Sequence, residues 1–178
     1  MVVVGGLRAV KDPLRAGYAV RALPLESLIR VTCVGPVLAP GFDVRARRET
    51  QRNPRFRWIG PRPHRATLRR IAASDLLVVS SRSEGGANVI GEAIVAGVPV
   101  ISSAIDGSIG ILGGAYPGYF PVGDTRALTR LLRRAETDRA FLRELQRLGR
   151  RLAPRFARAR ERTSWRTLLA GLAVRPSR

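Results

Sequence analysis

Residues 75–100 read DLLVVSSRSEGGANVIGEAIVAGVPV, and this stretch carries a strand, a turn, a helix and the start of a second strand. Leu76 to Val79 is a short apolar run of the kind that forms a buried strand. Ser80 to Gly86 is too polar and too rich in glycine to prolong it, so the chain turns there. Val89, Ala93 and Ala96 then recur at helical spacing behind Asn88 as N-cap, and Gly97 before Val98-Pro99 ends the helix.

The same stretch sets two carboxylates, Glu84 and Glu92, across the turn and the helix. At such a turn the free backbone N–H groups of Gly85, Gly86 and Ala87, with the positive end of the helix dipole, make a site for a phosphate or carboxylate. Glu84 stands at its rim. Glu92 lies about one turn into the helix beside Ile90, Ala93, Ile94 and Val95, where an unpaired charge is costly. It needs donors, and the vicinal hydroxyls of a ribose supply two. A plainer arrangement fits the spacing equally well, with Glu92 on the solvated helix face and Glu84 a surface loop acid.

Outward from this unit the chain alternates between the two periodicities. Strands are expected at Val2–Val4, Ile29–Val34, Phe56–Ile59, Leu76–Val79 and Val98–Ser102, with a short edge strand at Tyr119–Val122. Helices are expected at Pro13–Leu23, Phe42–Gln51, Arg65–Ala73 and Asn88–Ala96, and from Thr125 to about residue 172. Ile105 to Gly114 is glycine-rich and reads as a loop. The order predicts an α/β fold, a Rossmann-like, doubly wound and mostly parallel sheet whose ligand sits at the carboxyl ends of the strands. Lys11, Glu84 and the Ile105–Ser108 loop each follow a strand and should meet on that edge.

Composition bounds the rest. A chain of 178 residues with 45% hydrophobic and 25% charged content reads as one folded domain spanning 1–178. No apolar run reaches membrane-spanning length, and Val2-Val3-Val4 leads into glycine without the features of a signal peptide, so a cytoplasmic location is expected. Cys33 stands alone in an apolar run and reads as a buried thiol. His64, the single histidine, reads as a surface residue at a helix start, with no second His or Cys at metal-ligand spacing.

The net charge of +19 and pI near 11.9 raise the question of nucleic acid. The arginines are spread along the chain, densest from Arg126 to Arg162 on amphipathic patterns such as Leu128, Leu131 and Leu132. There is no aromatic ladder, zinc spacing or helix-turn-helix, so no specific nucleic-acid partner is expected. The competing class is an arginine-rich polyanion- or nucleic-acid-binding protein without catalysis on the same scaffold. Peripheral contact with an anionic membrane is a further partner class, because Phe156–Leu172 mixes arginine with Trp165, Leu168 and Leu169. Among 32 basic residues the one lysine is Lys11, a compact ammonium just after the first strand, where a phosphate-facing loop would lie.

The Glu84-to-Glu92 element, followed by Ala93, Gly97, Pro99 and Val100, resembles the E-x7-E signature of retaining GT-B glycosyltransferases of the large family-four type. The resemblance runs over almost the whole chain and is to the C-terminal, donor-binding domain; the N-terminal acceptor domain is expected to be absent. It implies that Glu84 contacts the donor hexose and Glu92 the ribose, with Gly5, Gly6, Gly85, Gly86, Ala87 and Asn88 around the donor. Family members carry an arginine after the strand glycine and a lysine five residues later, both facing the donor diphosphate. Lys11 matches the lysine, Gly6 occupies the arginine's place, and Arg8 is the substitute expected here. No cofactor or divalent metal is implied. Three segments, GGLRAVKDPLRAG at 5–17, SRSEGGANVIGEAI at 81–94 and GGAYPGYFPVGDT at 113–125, further resemble the glycosyltransferases of selenoneine biosynthesis. That group implies UDP-N-acetylglucosamine as donor, selenophosphate as acceptor and a selenosugar as product.

Overall fold

The computed structural model describes residues 1–156. Six short strands, β1 (Val2–Val4), β2 (Val31–Val34), β3 (Phe56–Trp58), β4 (Leu77–Val79), β5 (Val100–Ser103) and β6 (Tyr119–Phe120), form one sheet in the order β3-β2-β1-β4-β5-β6. Every pairing is parallel, with Val3 opposite Cys33 and Leu77 opposite Val100. The doubly wound α/β expectation therefore holds. The inner strands β1 and β4, buried on both faces, read as continuous apolar runs, which is why they were visible in the sequence.

Among the described residues there are seven helices, five between successive strands and two after β6: α1 (Arg15–Arg21), α2 (Phe42–Arg52), α3 (His64–Ala72), α4 (Asn88–Val95), α5 (Asp106–Leu112), α6 (Thr125–Thr137) and α7 (Arg139–Leu152). Single 3-10 turns occupy Ala9–Lys11 and Ala153–Phe156. Helix α1 packs on α6, while α3 packs on α4, and α4 in turn on α5 and α7. Leu128, Leu132, Phe141 and Leu145 are almost wholly buried, so the arginines of α6 and α7 are left on the outer faces. No helix among the described residues is long and apolar enough to cross a membrane. Phe156–Leu172, expected to be helical, lies almost entirely outside the described residues.

Helix α4 ends as its sequence requires. Gly97 takes a left-handed φ of 73°, its N–H donates to Ile94 O (3.1 Å), and Val98 N–H donates to Ala93 O (2.9 Å). This paired closure satisfies two terminal carbonyls and needs glycine at the left-handed position. At the other end the expectation is corrected: Asn88 is the first helical residue, Ala87 holds the cap position, and no side chain caps it. Side-chain caps do start α6, where Asp124 accepts from Ala127 N (2.8 Å), and α7, where Asp138 accepts from Phe141 N (3.0 Å).

A second correction concerns Ile105–Gly114, expected as a loop, which contains α5. Its glycines mask a spacing of Ile105, Ser108 and Leu112 that buries one face. Glycine is needed at position 107 despite its helical cost, because a Cβ there would stand 2.3 Å from the carbonyl oxygen of Glu84. The first helix is also shorter than expected: Asp12 adopts a left-handed φ of 41° and the chain is still turning at Pro13.

Candidate functional site

Beyond β1 the chain crosses to β2 on one side, and beyond β4 it crosses to β5 on the other. The loops leaving these adjacent strands diverge at their carboxyl ends and open a crevice, the usual ligand position in such a sheet. One wall is the β1 loop, Gly5 to Asp12. The other is the β4 loop, Ser80 to Ala87. They are tied together by Ser80 Oγ donating to Asp12 O (2.8 Å) and Arg82 N donating to Val10 O (2.7 Å).

Across this seam Lys11 Nζ lies 2.9 Å from Glu84 Oε1, with the side chains 25% and 6% exposed. The same carboxylate oxygen accepts a hydrogen bond from Ser81 Oγ. The position of Ser81 is fixed from below, since Ser103 Oγ donates to Ser81 O (2.6 Å). The carbonyl of Glu84 rests over Gly107 at the start of α5. Glu84 is thus held by the β4 loop, β5 and α5; the residue is half-buried and its side chain is turned inward, deeper than the rim position expected from the sequence.

Beside this pair, Asp12 collects guanidinium groups. Arg15 donates to its Oδ2 from Nε (2.9 Å) and NH2 (2.7 Å), and Arg15 NH1 reaches Thr125 Oγ1 (2.7 Å). Arg82 NH2 stands 3.8 Å from the same Oδ2. Neither Asp12, Arg15 nor Arg82 was singled out in the sequence, where the general arginine excess hides them.

Glu92 faces a different part of the crevice. Its side chain is 27% exposed, and His64 Nδ1 lies 3.9 Å from its Oε1. Ile90, Ala93 and Ile94 are buried, but Val95 is 61% exposed, so the carboxylate stands at a wall of the crevice and not in an apolar interior. Gly5, Gly6, Gly35, Pro61, Arg62 and Val89, with His64 and Glu92, line a cleft of about 360 Å³. The floor is tight: a Cβ on Gly35 would stand 2.0 Å from the carbonyl oxygen of Gly5. His64, expected as a plain surface residue, is 71% exposed but belongs to this cleft. The readable signal was its place after the Gly60-Pro61 turn that follows a strand.

Of the residues named from the sequence, Lys11 and Glu84 meet in the ion pair, and Gly5, Gly6 and Glu92 share the cleft. Gly5 joins the two places, since a Cβ there would touch the Lys11 side chain at 3.8 Å. Gly85 and Gly86 are exposed, Ala87 is buried, and the three N–H groups donate to no other described residue. Asn88 is exposed at the first position of α4. Arg8 is exposed and extended at the head of the 3-10 turn, outside the ion pairs of the described residues. Among the described residues no three His, Cys, Asp or Glu side chains gather as a metal site.

A sequence model of the family described as "Glycosyl transferases group 1" matches residues 1–152. No curated protein matches the sequence. The fold is similar to that of Anabaena HepE in complex with UDP-glucose, with a TM-score of 0.77 and 19% identity over 95% of this chain and 48% of that one. It is similar to sucrose-phosphate synthase from Thermosynechococcus elongatus, with a TM-score of 0.75 and 22% identity over 96% and 46%. It is also similar to WaaG, a glycosyltransferase involved in lipopolysaccharide biosynthesis, with a TM-score of 0.69 and 24% identity over 86% and 42%. The chain thus spans about half the length of these proteins.

Proposed function

The chain belongs to the glycosyl transferases group 1 family, and on that ground we propose that it is the donor-binding half of a retaining glycosyltransferase that uses a UDP-sugar. The observation that carries this reading is the Lys11–Glu84 pair at the carboxyl ends of β1 and β4, beside the cleft that holds Glu92. A nucleotide sugar lying along the crevice would place its ribose hydroxyls at Glu92, its diphosphate near Lys11 and the N–H groups of Gly85 and Gly86, and its hexose at Glu84. The solved complexes of HepE with UDP-glucose and with UDP are of similar fold, which supports this class of donor.

In the reaction the bond from the anomeric carbon to the diphosphate oxygen breaks, and the acceptor bonds to the same face. The departing diphosphate gathers negative charge, and Lys11, with Arg8 and the loop N–H groups, stabilises it without a divalent metal; such fixed donors commonly give the largest part of the rate enhancement. Glu92 anchors the donor and Glu84 orients the sugar. The resemblance of residues 5–17, 81–94 and 113–125 to the selenoneine group supports UDP-N-acetylglucosamine as donor and selenophosphate as acceptor, in the cytoplasm. The opposite wall of the active site, which selects the acceptor, would come from a second domain.

Calorimetric titration of the purified protein with UDP and UDP-N-acetylglucosamine, beside Glu92→Ala, tests this. Charge-assisted hydrogen bonds are worth roughly 1.5–3 kcal/mol, so Glu92→Ala should weaken donor binding about ten- to a hundredfold. Folded protein that binds neither ligand would sink the proposal.

A further inference from the structure

Within the ion-pair cluster at the seam of the β1 and β4 loops the charges do not cancel. Three cations, Lys11, Arg15 and Arg82, meet two carboxylates, Asp12 and Glu84, which leaves an excess of one positive charge. Which cation is in excess follows from the geometry. Lys11 is engaged by Glu84 at 2.9 Å. Arg15 is 17% exposed, holds Asp12 Oδ2 at 2.7 Å and has its remaining nitrogen on Thr125. The carboxylate that Arg82 faces is therefore already neutralised, and 3.8 Å to the same oxygen is beyond hydrogen-bonding distance. The Arg82 side chain is 54% exposed.

Its main chain, by contrast, is fixed. Arg82 N–H donates to Val10 O at 2.7 Å, next to Lys11 in the β1 loop, and Arg82 stands two residues before Glu84. An anchored backbone carrying a guanidinium with no close acceptor among the described residues, on the same loop as Gly85 and Gly86 and tied to the loop of Lys11, has the form of an oxyanion contact in which the planar fork can take two oxygens. Arg8, by comparison, lies at the far end of the 3-10 turn. At Gly6 a side chain would first have to displace Leu38, whose Cδ1 lies 2.2 Å from where a Cβ would stand.

We propose that Arg82 binds a phosphoryl oxyanion of a substrate in this crevice. The proposal rests on the UDP-sugar reading of the site. Two groups carry that chemistry, the diphosphate of the donor and an anionic phosphoryl acceptor, and they are separable by ligand.

The test measures UDP, uridine and inorganic phosphate binding by calorimetry to the unmodified protein, Arg82→Ala, Arg82→Lys and Arg8→Ala, with thermal melts confirming folding. If Arg82 holds the donor diphosphate, Arg82→Ala weakens UDP about tenfold, leaves uridine unchanged, and Arg82→Lys recovers part of the loss. If it holds the acceptor, UDP is unaffected, but inorganic phosphate binds the protein–UDP complex and fails to bind the Arg82→Ala complex. The proposal is overturned if Arg82→Ala changes neither phosphate-dependent term, or if uridine weakens as much as UDP. Uridine and UDP that both fail to bind the unmodified protein would overturn the donor-site reading, and this proposal with it.

Discussion

Lys11 Nζ sits 2.9 Å from Glu84 Oε1 although the two residues belong to loops on different strands. Removing the lysine leaves a carboxylate that is 6% exposed with Ser81 as its donor. An uncompensated charge in such a place costs roughly 2–3 kcal/mol. Lys11→Ala should therefore lower Tm by about 4–10 °C as well as weaken UDP binding. Glu84→Gln, which removes the charge and keeps the shape, should cost less; scanning calorimetry of the two variants decides, and equal melting temperatures for both and the unmodified protein would contradict the pairing.

Gly107 and Gly110 occupy the same short helix and should respond with opposite signs to alanine. A Cβ at 107 would stand 2.3 Å from the carbonyl oxygen of Glu84, whereas nothing lies within 4 Å of one at 110. Helix propensity favours alanine by about 1 kcal/mol at either position. At 107 the backbone clash outweighs that gain, so Gly107→Ala should lower Tm and shift Glu84; Gly110→Ala should leave Tm unchanged or raise it by a few degrees.

Alkaline stability follows from two buried acids, Cys33 and Tyr116, and the half-buried Tyr119. Burial pushes the Cys33 thiol from 9.0 up to about 12 and the Tyr119 hydroxyl from 10.0 to about 12, and raises Tyr116 as well, whose hydroxyl donates to Val100 O. Each group holds its proton more tightly folded than unfolded. Their contribution is thus fully present below about pH 9 and is lost as pH climbs toward about 12. Denaturant midpoints should fall steadily above pH 9. A thiol reagent at pH 8 should label Cys33 only after unfolding, and fast labelling of the native protein would contradict its burial.

The outer face of α7 gives a salt-dependent prediction. Arg143, Arg147, Arg150 and Arg151 line one shallow surface with Gln146. Fluorescence anisotropy with an arbitrary RNA should report weak binding that falls linearly on a log–log plot against salt. Arg147→Glu together with Arg151→Glu should flatten the slope and leave UDP titrations unaltered.

The inner strands β1 and β4 were legible because burial on both faces makes a parallel strand apolar throughout, and the turn before α4 because glycine and polar residues interrupt that run. Helix α5 was hidden because the backbone of Glu84 demands glycine where periodicity needs a side chain. Glu84 was found, but the depth of its side chain was not: Ser81 lies only three residues away, whereas Ser103 and α5 come from the next strand and the helix beyond it. The approach of His64 to Glu92 depends on the packing of α3 on α4, a relation between residues 28 positions apart that no local pattern encodes. Buried Glu49 was missed for a similar reason. It stands on α2 and bonds Arg21 and Asn53, and Asn53 in turn donates to Gly17 O (2.9 Å).

The seam between the β1 and β4 loops joins residues 68 positions apart, Asp12 and Ser80. Closing a chain segment of that length carries a large entropic cost and comes late in assembly. The crevice therefore does not exist in any species in which β1, β2 and β3 have formed without β4. A nucleotide that binds there meets its site after the folding barrier has been crossed, so it can hold the finished molecule together without helping to build it. In kinetic terms, UDP should slow unfolding and leave the refolding rate where it was.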